Sequence, residues 1–225
     1  MNRLVRLFGS SIGRKIVAAT TGVLLIAFLL GHMYGNMKVF QGPEALNAYA
    51  AKLQGHPLLW GFRAGLITLF ATHVYLTLTL ARDNRAARPV GYRRYQPRTS
   101  SFFSRYMVLT GLVVLMFLIY HLLHFTFGVI DAEHTRLFDA QQNLDVYTSV
   151  VQTFRNPWIA VSYVVAMVLL GFHLWHGTTS AFQTLGVRHE SYETLIRIIS
   201  AALVAALVLG NSSIPILIYA GRVGT

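Results

Sequence analysis

Six histidines lie inside long apolar runs of this chain, where a titratable side chain is costly and needs a partner. Imidazole can bind a metal, move a proton or join two helices through a hydrogen bond. The chain has no cysteine, which excludes disulfides, thiol catalysis, iron–sulfur ligation and thioether attachment of a prosthetic group. Histidine is therefore the one good metal ligand available in number, at His32, His73, His121, His124, His173 and His176.

The elements that carry these histidines are five apolar runs, each long enough to cross a bilayer. Of 225 residues, 54% are hydrophobic and 12% are charged, and the mean hydropathy is +0.51; this is too little charge to cover a soluble domain. A bilayer core of about 30 Å needs about 20 apolar residues in a helix. The sequence therefore predicts an all-α integral membrane bundle, a single domain over residues 1–225, with spans at about 16–37, 58–81, 102–127, 158–182 and 195–220.

Lysine and arginine are distributed unevenly among the segments that join these spans. Most lie in residues 1–15, in 82–105 and near 188–197, so the net charge of +11 indicates membrane orientation and anionic lipid rather than nucleic acid. The positive-inside rule predicts a cytoplasmic N-terminus and an outside C-terminus. The spacing of Leu46, Tyr49 and Leu53 predicts an amphipathic helix over about 43–53 at the outer interface. Asn211 and Pro215 are expected to interrupt the fifth span, and no internal repeat is strong enough to use.

Depth along the spans sorts four of the histidines into two layers. Counted from each span's midpoint at about 1.5 Å per residue, His32 and His121 lie roughly 9–10 Å toward the outside. His73 and His173 lie roughly 5 Å toward the cytoplasm by the same count, so the layers are about 15 Å apart. A bis-histidine b haem needs two imidazoles at matching depth on facing helices. The sequence therefore predicts two haems that form an electron path across the membrane.

Which histidine binds iron is ambiguous on two spans. His124 and His176 each follow another histidine by three residues and share a helical face with it, so either member of each doublet could bind iron by spacing alone. For the second members we favour a hydrogen bond to a haem propionate or to loop backbone. Room for a flat cofactor, or for a close helix neighbour, comes from glycines in the spans, at Gly22, Gly31, Gly35, Gly65, Gly111 and Gly171.

Arg63 is the one arginine well inside an apolar run. It stands roughly 10 Å outward of its span's midpoint, at the depth of His32 and His121. Its side chain either reaches the outer interface or forms a bidentate contact with a propionate of the outer haem. In the second case its positive charge would raise the reduction potential of that haem.

Several short motifs follow one another in a specific order. They are GRK at 13–15, GHMYGN at 31–36, GPEALNAYAAKL at 42–53, ATHVYLTLTLARDN at 71–84, LTG…IYHLLHFTFG at 109–128 and HLWHGTTSAFQTLG at 173–186. With these motifs the chain resembles, over nearly its whole length, the diheme cytochrome b membrane anchors of bacterial succinate:quinone oxidoreductases, in the single-polypeptide, five-helix form.

The resemblance implies that His32 and His121 bind the distal haem and that His73 and His173 bind the proximal one. It implies an electron-transfer subunit of succinate dehydrogenase or fumarate reductase in the bacterial cytoplasmic membrane, with no flavin or dicarboxylate site of its own. A flavoprotein subunit and an iron–sulfur subunit would dock on the basic cytoplasmic face. A quinone, menaquinone in diheme members, would be the electron partner.

The position of the quinone site stays open between the cytoplasmic end and the outer haem. Polar candidates at the cytoplasmic mouth of the first span are Arg14, Lys15, Thr20 and Thr21, and interfacial anchoring or helix–helix hydrogen bonding is the simpler interpretation of each. An alternative function is the diheme cytochrome b subunit of another quinone-linked enzyme, such as a hydrogenase or formate dehydrogenase. A transporter that moves protons through buried histidines would explain neither the two layers nor the lack of carboxylates within the spans.

Overall fold

The computed structural model describes residues 9–87, 102–139, 142–187 and 189–224, with the side chains of residues 102 and 103 excepted. The described residues are helical over most of their length. Five helices are long and apolar enough to cross a membrane, which confirms the predicted all-α membrane bundle. In chain order the helices are α1 (Ser11–Asn36), α2 (Pro43–Gln54), α3 (Leu59–Ala86), α4 (Phe102–Arg105), α5 (Met107–His121), α6 (Val146–Phe154), α7 (Pro157–Thr184) and α8 (Glu193–Tyr219), of which α1, α3, α5, α7 and α8 are the spans.

The helix ends follow from local capping. The Ser10 hydroxyl accepts a hydrogen bond from the Gly13 N–H and begins α1 at Ser11, more than a turn before the predicted start. At α7 the Asn156 side chain accepts from the Trp158 N–H, and Pro157 occupies the first helical position, where a missing N–H costs least. Asn211 and Pro215 were expected to interrupt the fifth span and to kink its outer end. They do not end the helix, because α8 continues through both to Tyr219, and the kink stays a prediction.

The third span differs from its prediction at both ends. It does not run unbroken from Phe102, because the single turn of α4 ends at Arg105 and α5 begins at Met107. At the other end α5 passes directly into a π-helical turn, Leu122–Thr126. Such turns are rare and recur at functional sites because the extra residue redirects the side chains that follow. His124 lies in this turn, so the three-residue spacing from His121 no longer gives the shared face of a regular α-helix.

The helix α7 lies at the centre of the bundle and packs against α8, α5 and α1. By contrast, α3 packs chiefly against α1, with a small contact to α5. Neither α3 nor α5 contains a fully buried residue. Large parts of these two helices are therefore left available to lipid or to a cofactor.

The end of the bundle that the charge distribution predicts to face outside is closed by α2, α6 and a 3-10 turn, Met37–Gln41, which we call the outer cap. Its core includes Val39, Leu46 and Val151, which pack with Ile218 of α8. Asn47 of α2 donates to the Asp145 carboxylate at 2.9 Å. The helix predicted over 43–53 is confirmed as α2, and its position at the membrane interface stays a prediction. Helix α6 was not predicted, because nine residues are fewer than the 11–18 in which helical periodicity is recognised.

Candidate functional site

The structure brings His32 of α1 and His121 of α5 together; we call them the outer pair. Their ring centroids are 5.8 Å apart and the ring planes cross at 85°. Each ring also packs on a phenylalanine one turn earlier in its own helix. Phe28 stacks on His32 at 5.6 Å, and Phe117 lies 6.0 Å from His121. The Nδ1 atom of His121 is buried and has no hydrogen-bond partner among the described residues.

An aromatic cluster surrounds the outer pair on the side of α7. Tyr163 of α7 is the shared contact, since its ring touches those of Phe117, His121, His124 and Phe125. The Tyr163 hydroxyl lies 3.0 Å from Nδ1 of His124, whose side chain is fully buried. In the first doublet, His121 therefore faces His32, whereas His124 is engaged with α7.

The inner pair consists of His73 of α3 and His173 of α7, which the count along their helices predicts at one depth. Nδ1 of His73 is 3.1 Å from the Thr21 hydroxyl, and Nδ1 of His173 is 3.3 Å from the Thr110 hydroxyl. A glycine follows each threonine and leaves space for the ring. A Cβ atom added at Gly22 would lie 3.2 Å from Cε1 of His73, and one added at Gly111 would lie 3.2 Å from Cε1 of His173.

The outer pair fits a flat cofactor that would take one imidazole ligand from each of two helices. Two imidazoles that share one metal atom through bonds of about 2 Å have ring centres roughly 6 Å apart, and the outer pair is at 5.8 Å. Gly22 and Gly111 form cradles that a Cβ atom would fill, as expected where an imidazole must be held in one orientation. In the described parts of the chain no three His, Cys, Asp or Glu side chains converge, so a metal held by protein ligands alone has no site there. A haem, whose iron is already held by the porphyrin, needs at most two such side chains.

The remaining candidate residues have contacts of their own. Arg63 is exposed, and its guanidinium lies 4.9 Å from the centre of the Trp60 ring, a cation–π contact at the outer end of α3. Arg14 is paired with Asp83 of α3 at 2.8 Å. Thr20 and Lys15 are exposed, whereas Thr21 is buried and engaged with His73. His176 is partly buried on α7, one turn beyond His173.

Sequence reasoning did not find Thr110 and Tyr163, which contact His173 and His124. Threonine and tyrosine are ordinary in membrane helices, so neither stands out alone. A signal did exist, however, for Thr110. The segment TGVLLIAFLLGH at 21–32 and the segment TGLVVLMFLIYH at 110–121 share Thr, Gly, Phe and His at matching positions.

Comparison with known proteins supplies the assignment. A family model described as succinate dehydrogenase/fumarate reductase transmembrane subunit matches residues 82–209, more than half of the chain. The chain belongs to this family. No curated protein and no solved structure matches it.

Membership in the succinate dehydrogenase/fumarate reductase transmembrane subunit family agrees with a multi-pass membrane protein of five apolar helices. The matched region extends from the last turns of α3 to the second half of α8. It contains His121 and His173, one histidine from each pair, and their partners His32 and His73 precede it. Each pair thus joins a histidine within the family's matched region to one outside it.

Proposed function

We propose that this chain is the membrane-anchor and electron-transfer subunit of a succinate dehydrogenase and that it binds two b haems. The observation that carries the proposal is the contact between His32 and His121 of two spanning helices, in a chain of this family. His73 and His173, on two further spans, each lie against a matching threonine and glycine. His32 and His121 would hold the outer haem, and His73 and His173 the inner one. The chain itself would perform no succinate chemistry.

The protein's contribution is to bind, orient and shield the cofactors. When bound, each haem supplies a one-electron carrier, and a separation of about 15 Å between the layers, counted from helical rise, suits transfer between them. The Phe28 and Phe117 rings exclude water beside the outer imidazoles, and Thr21 and Thr110 bond to the inner ones. His124, His176 and Arg63 remain proposed partners of haem propionates.

Quinone, as menaquinone, is the proposed electron partner of the haems. Arg14, Lys15, Thr20 and Thr21 stay proposed for a site at the cytoplasmic mouth of α1. Because Arg14 is already paired with Asp83, and Thr21 with His73, the exposed Lys15 and Thr20 are the two with free surface for a quinone oxygen. A site beside the outer haem is the alternative position.

The proposed partners are a flavoprotein subunit and an iron–sulfur subunit, docked on the cytoplasmic face of a bacterial inner membrane. Family membership supports association with such subunits. The basic residues of 1–15 and 82–105 would form the docking face, with the N-terminus in the cytoplasm. Of these, residues 1–8 and 88–101 lie outside the described part of the chain.

A hydrogenase or formate dehydrogenase subunit with two b haems would use the same histidine pairing. The family match favours the succinate or fumarate enzyme over both. A proton-transporting histidine bundle is disfavoured because Nδ1 of His121, in the outer pair, is buried without a hydrogen-bond partner among the described residues that could pass a proton to it.

Affinity purification of the tagged chain from its native membrane tests the proposal. We expect a flavoprotein and an iron–sulfur protein to co-purify, and succinate to reduce the haems of the complex. Hydrogen and formate serve as control donors. Reduction by either of these, with succinate inert, would assign the chain to the alternative enzymes, and purification without any b haem would contradict the proposal as a whole.

A further inference from the structure

The sequence alone offered no internal repeat strong enough to use, but the contacts in the structure give meaning to a twelve-residue repeat, with Thr, Gly, Phe and His at its first, second, eighth and twelfth positions. It occurs at 21–32 in α1 and at 110–121 in α5. In both copies the final histidine belongs to the outer pair and packs on the phenylalanine of the same copy. In both copies the threonine and glycine contact the inner histidine of the next spanning helix. One repeat unit therefore serves both layers.

Hydrogen bonding around each threonine fixes where the inner imidazole carries its proton. The Thr21 hydroxyl donates to the carbonyls of Val17 and Ala18, which leaves a lone pair free to accept. Nδ1 of His73 lies 3.1 Å from the Thr21 hydroxyl and 3.1 Å from the Ala18 carbonyl oxygen. A carbonyl can only accept, so Nδ1 must be the donor.

The second copy repeats the threonine part of this arrangement. The Thr110 hydroxyl donates to the Met107 carbonyl at 3.0 Å and lies 3.3 Å from Nδ1 of His173. Because its one hydrogen goes to Met107, the hydroxyl accepts from Nδ1. Met107 precedes Thr110 by three residues, as Ala18 precedes Thr21. In both inner histidines Nδ1 therefore holds the hydrogen, and Nε2 is the nitrogen with a free lone pair.

We propose that Thr21 and Thr110 are positioning residues that orient the inner histidine pair and make both of its Nε2 atoms the metal-binding atoms. The proposal rests on the haem function proposed above. By accepting the Nδ1 hydrogen, each hydroxyl increases the electron density on Nε2 and favours the oxidised metal. The outer pair has a different environment, since Nδ1 of His121 has no partner in the described chain. The threonines should therefore tune the inner haem alone.

A purely structural role for the two threonines predicts a different result from the same substitutions. Threonine hydroxyls commonly hydrogen-bond across membrane helices, and removing one that does only this loosens the bundle without a preference for one cofactor. The reduction potentials of the two haems separate these roles, because a general loss of packing does not raise one potential while it leaves the other in place.

The test is a redox titration of both haems in the intact complex, with Thr21→Val, Thr110→Val and the double variant. Valine keeps the shape of threonine and removes its hydroxyl. Thr21→Ser and Thr110→Ser keep the hydroxyl, and Thr68→Val is the matched control, because Thr68 is exposed on α3 and donates only to the Ala64 carbonyl. His73→Ala, which should lack the inner haem, identifies the inner signal.

We expect the double variant to favour the reduced inner haem by on the order of tenfold, a rise of about 59 mV for a one-electron couple. Each single variant should shift it less, since the other threonine still accepts from its own imidazole. The serine variants and Thr68→Val should match the wild type, and the outer potential should not move. Selective loss of the inner haem in the valine variants, restored by serine, would also support the assignment.

Three results would overturn it. These are an unmoved inner potential in the valine variants, an equal shift of both haems, and loss of both haems together. The failure of this inference is distinguishable from failure of the haem function. A wild-type complex with two haems and an unresponsive inner potential refutes only the role of the threonines, whereas a wild-type complex without two haems refutes the proposed function.

Discussion

The inner and outer histidine pairs both depend on the same repeat, which supplies the outer histidines and contacts the inner ones, but different interactions hold the two pairs. At the inner pair, hydroxyl and carbonyl oxygens accept hydrogen bonds from Nδ1, and a glycine lies against each ring. At the outer pair, phenylalanine rings and Tyr163 pack around the imidazoles, and the buried Nδ1 of His121 has no partner among the described residues. Polar contacts orient one pair and aromatic packing orients the other.

Because of this difference, two sites that bind the same cofactor need not respond to the same substitutions. The inner pair should respond to changes in hydroxyl groups and in the space beside the ring. The outer pair should respond to changes in the aromatic cluster. If the two layers are independent in this way, a substitution in one should leave the haem of the other unchanged.

The largest effect is expected from the histidines themselves. His73→Ala or His173→Ala should abolish the inner haem and leave the outer one, and His32→Ala or His121→Ala should do the reverse. Loss of one axial ligand removes half of the protein's bonds to the iron. Haem-to-protein ratios and optical spectra of the purified variants measure this. The loop residue His56, as His56→Ala, is the control that should keep both haems.

If a single histidine variant removed both haems while the protein stayed folded, the layers would not be independent. If His124→Ala rather than His121→Ala removed the outer haem, the second member of that doublet would be the ligand. The contact of His124 with Tyr163 argues against that outcome.

A smaller loss is expected when the inner cradles are filled. Gly22→Ala or Gly111→Ala places a Cβ atom 3.2 Å from Cε1 of the inner imidazole, which must tilt to relieve the contact. Disturbing the support of a metal ligand typically costs 10–100-fold in affinity, so inner haem occupancy should fall on the order of tenfold at limiting haem. Gly61→Ala, where an added Cβ meets nothing within 4 Å, is the control. Unchanged inner occupancy would show that the glycines serve only helix packing.

Tyr163→Phe should act on the outer half alone. It leaves Nδ1 of the fully buried His124 without its hydrogen-bond partner, which should lower the free energy of unfolding by about 1–3 kcal/mol. The melting temperature should fall by about 2–4 °C per kcal/mol, and the inner haem potential should stay at its wild-type value. Tyr120→Phe is the matched control, since Tyr120 joins the same cluster through its ring. A thermal shift no larger than that of the control would count against this hydrogen bond.

Arg63→Gln tests a finer point of the outer layer. If the guanidinium holds a propionate, losing its positive charge should lower the outer haem's potential and leave the inner one alone. The contact with Trp60 and the exposure of Arg63 instead favour an interfacial anchor, for which neither potential changes. Titration of both haems decides between these roles, with haem content as the check that the protein is intact.

The smallest effect concerns the loop before α6. The hydrogen bond from Nδ1 of His134 to the Asp131 carboxylate, at 2.8 Å, raises the pKa of His134 above its ordinary 6.5. Because the folded pKa is the higher one, this contact contributes fully below pH 6.5 and is lost as pH rises through the folded pKa. Hydrogen exchange in 129–139, corrected for intrinsic rates, should therefore speed up with rising pH. His134→Gln should remove that dependence, and exchange in α7 should show none.

Much of the fold could be predicted because a lipid solvent imposes one simple rule, about 20 apolar residues per helix. The five spans and the helix at 43–53 followed from this rule and from amphipathic spacing. The break before Met107 and the π-helical turn after His121 could not, since they depend on local backbone geometry that apolar periodicity does not encode. Helix α6 was missed for its shortness.

The candidate site was predicted in its histidines but not in their surroundings. Counting depth along straight helices was enough to pair His32 with His121, because helical rise is nearly constant. The partners of the inner histidines depend on which helix faces which, and the sequence does not state that. The matching segments at 21–32 and 110–121 carried this information, but their meaning emerges only once Thr21 and Thr110 are seen beside histidines of neighbouring helices.

The central claim is that the two histidine pairs each hold one b haem. The most direct measurement is the ratio of haem to polypeptide in the purified wild-type complex, read together with its low-temperature optical and electron paramagnetic resonance spectra. We expect two haems per chain, both low-spin and six-coordinate, as bis-histidine ligation requires. One haem per chain, none, or a high-spin haem with an open coordination position would contradict it.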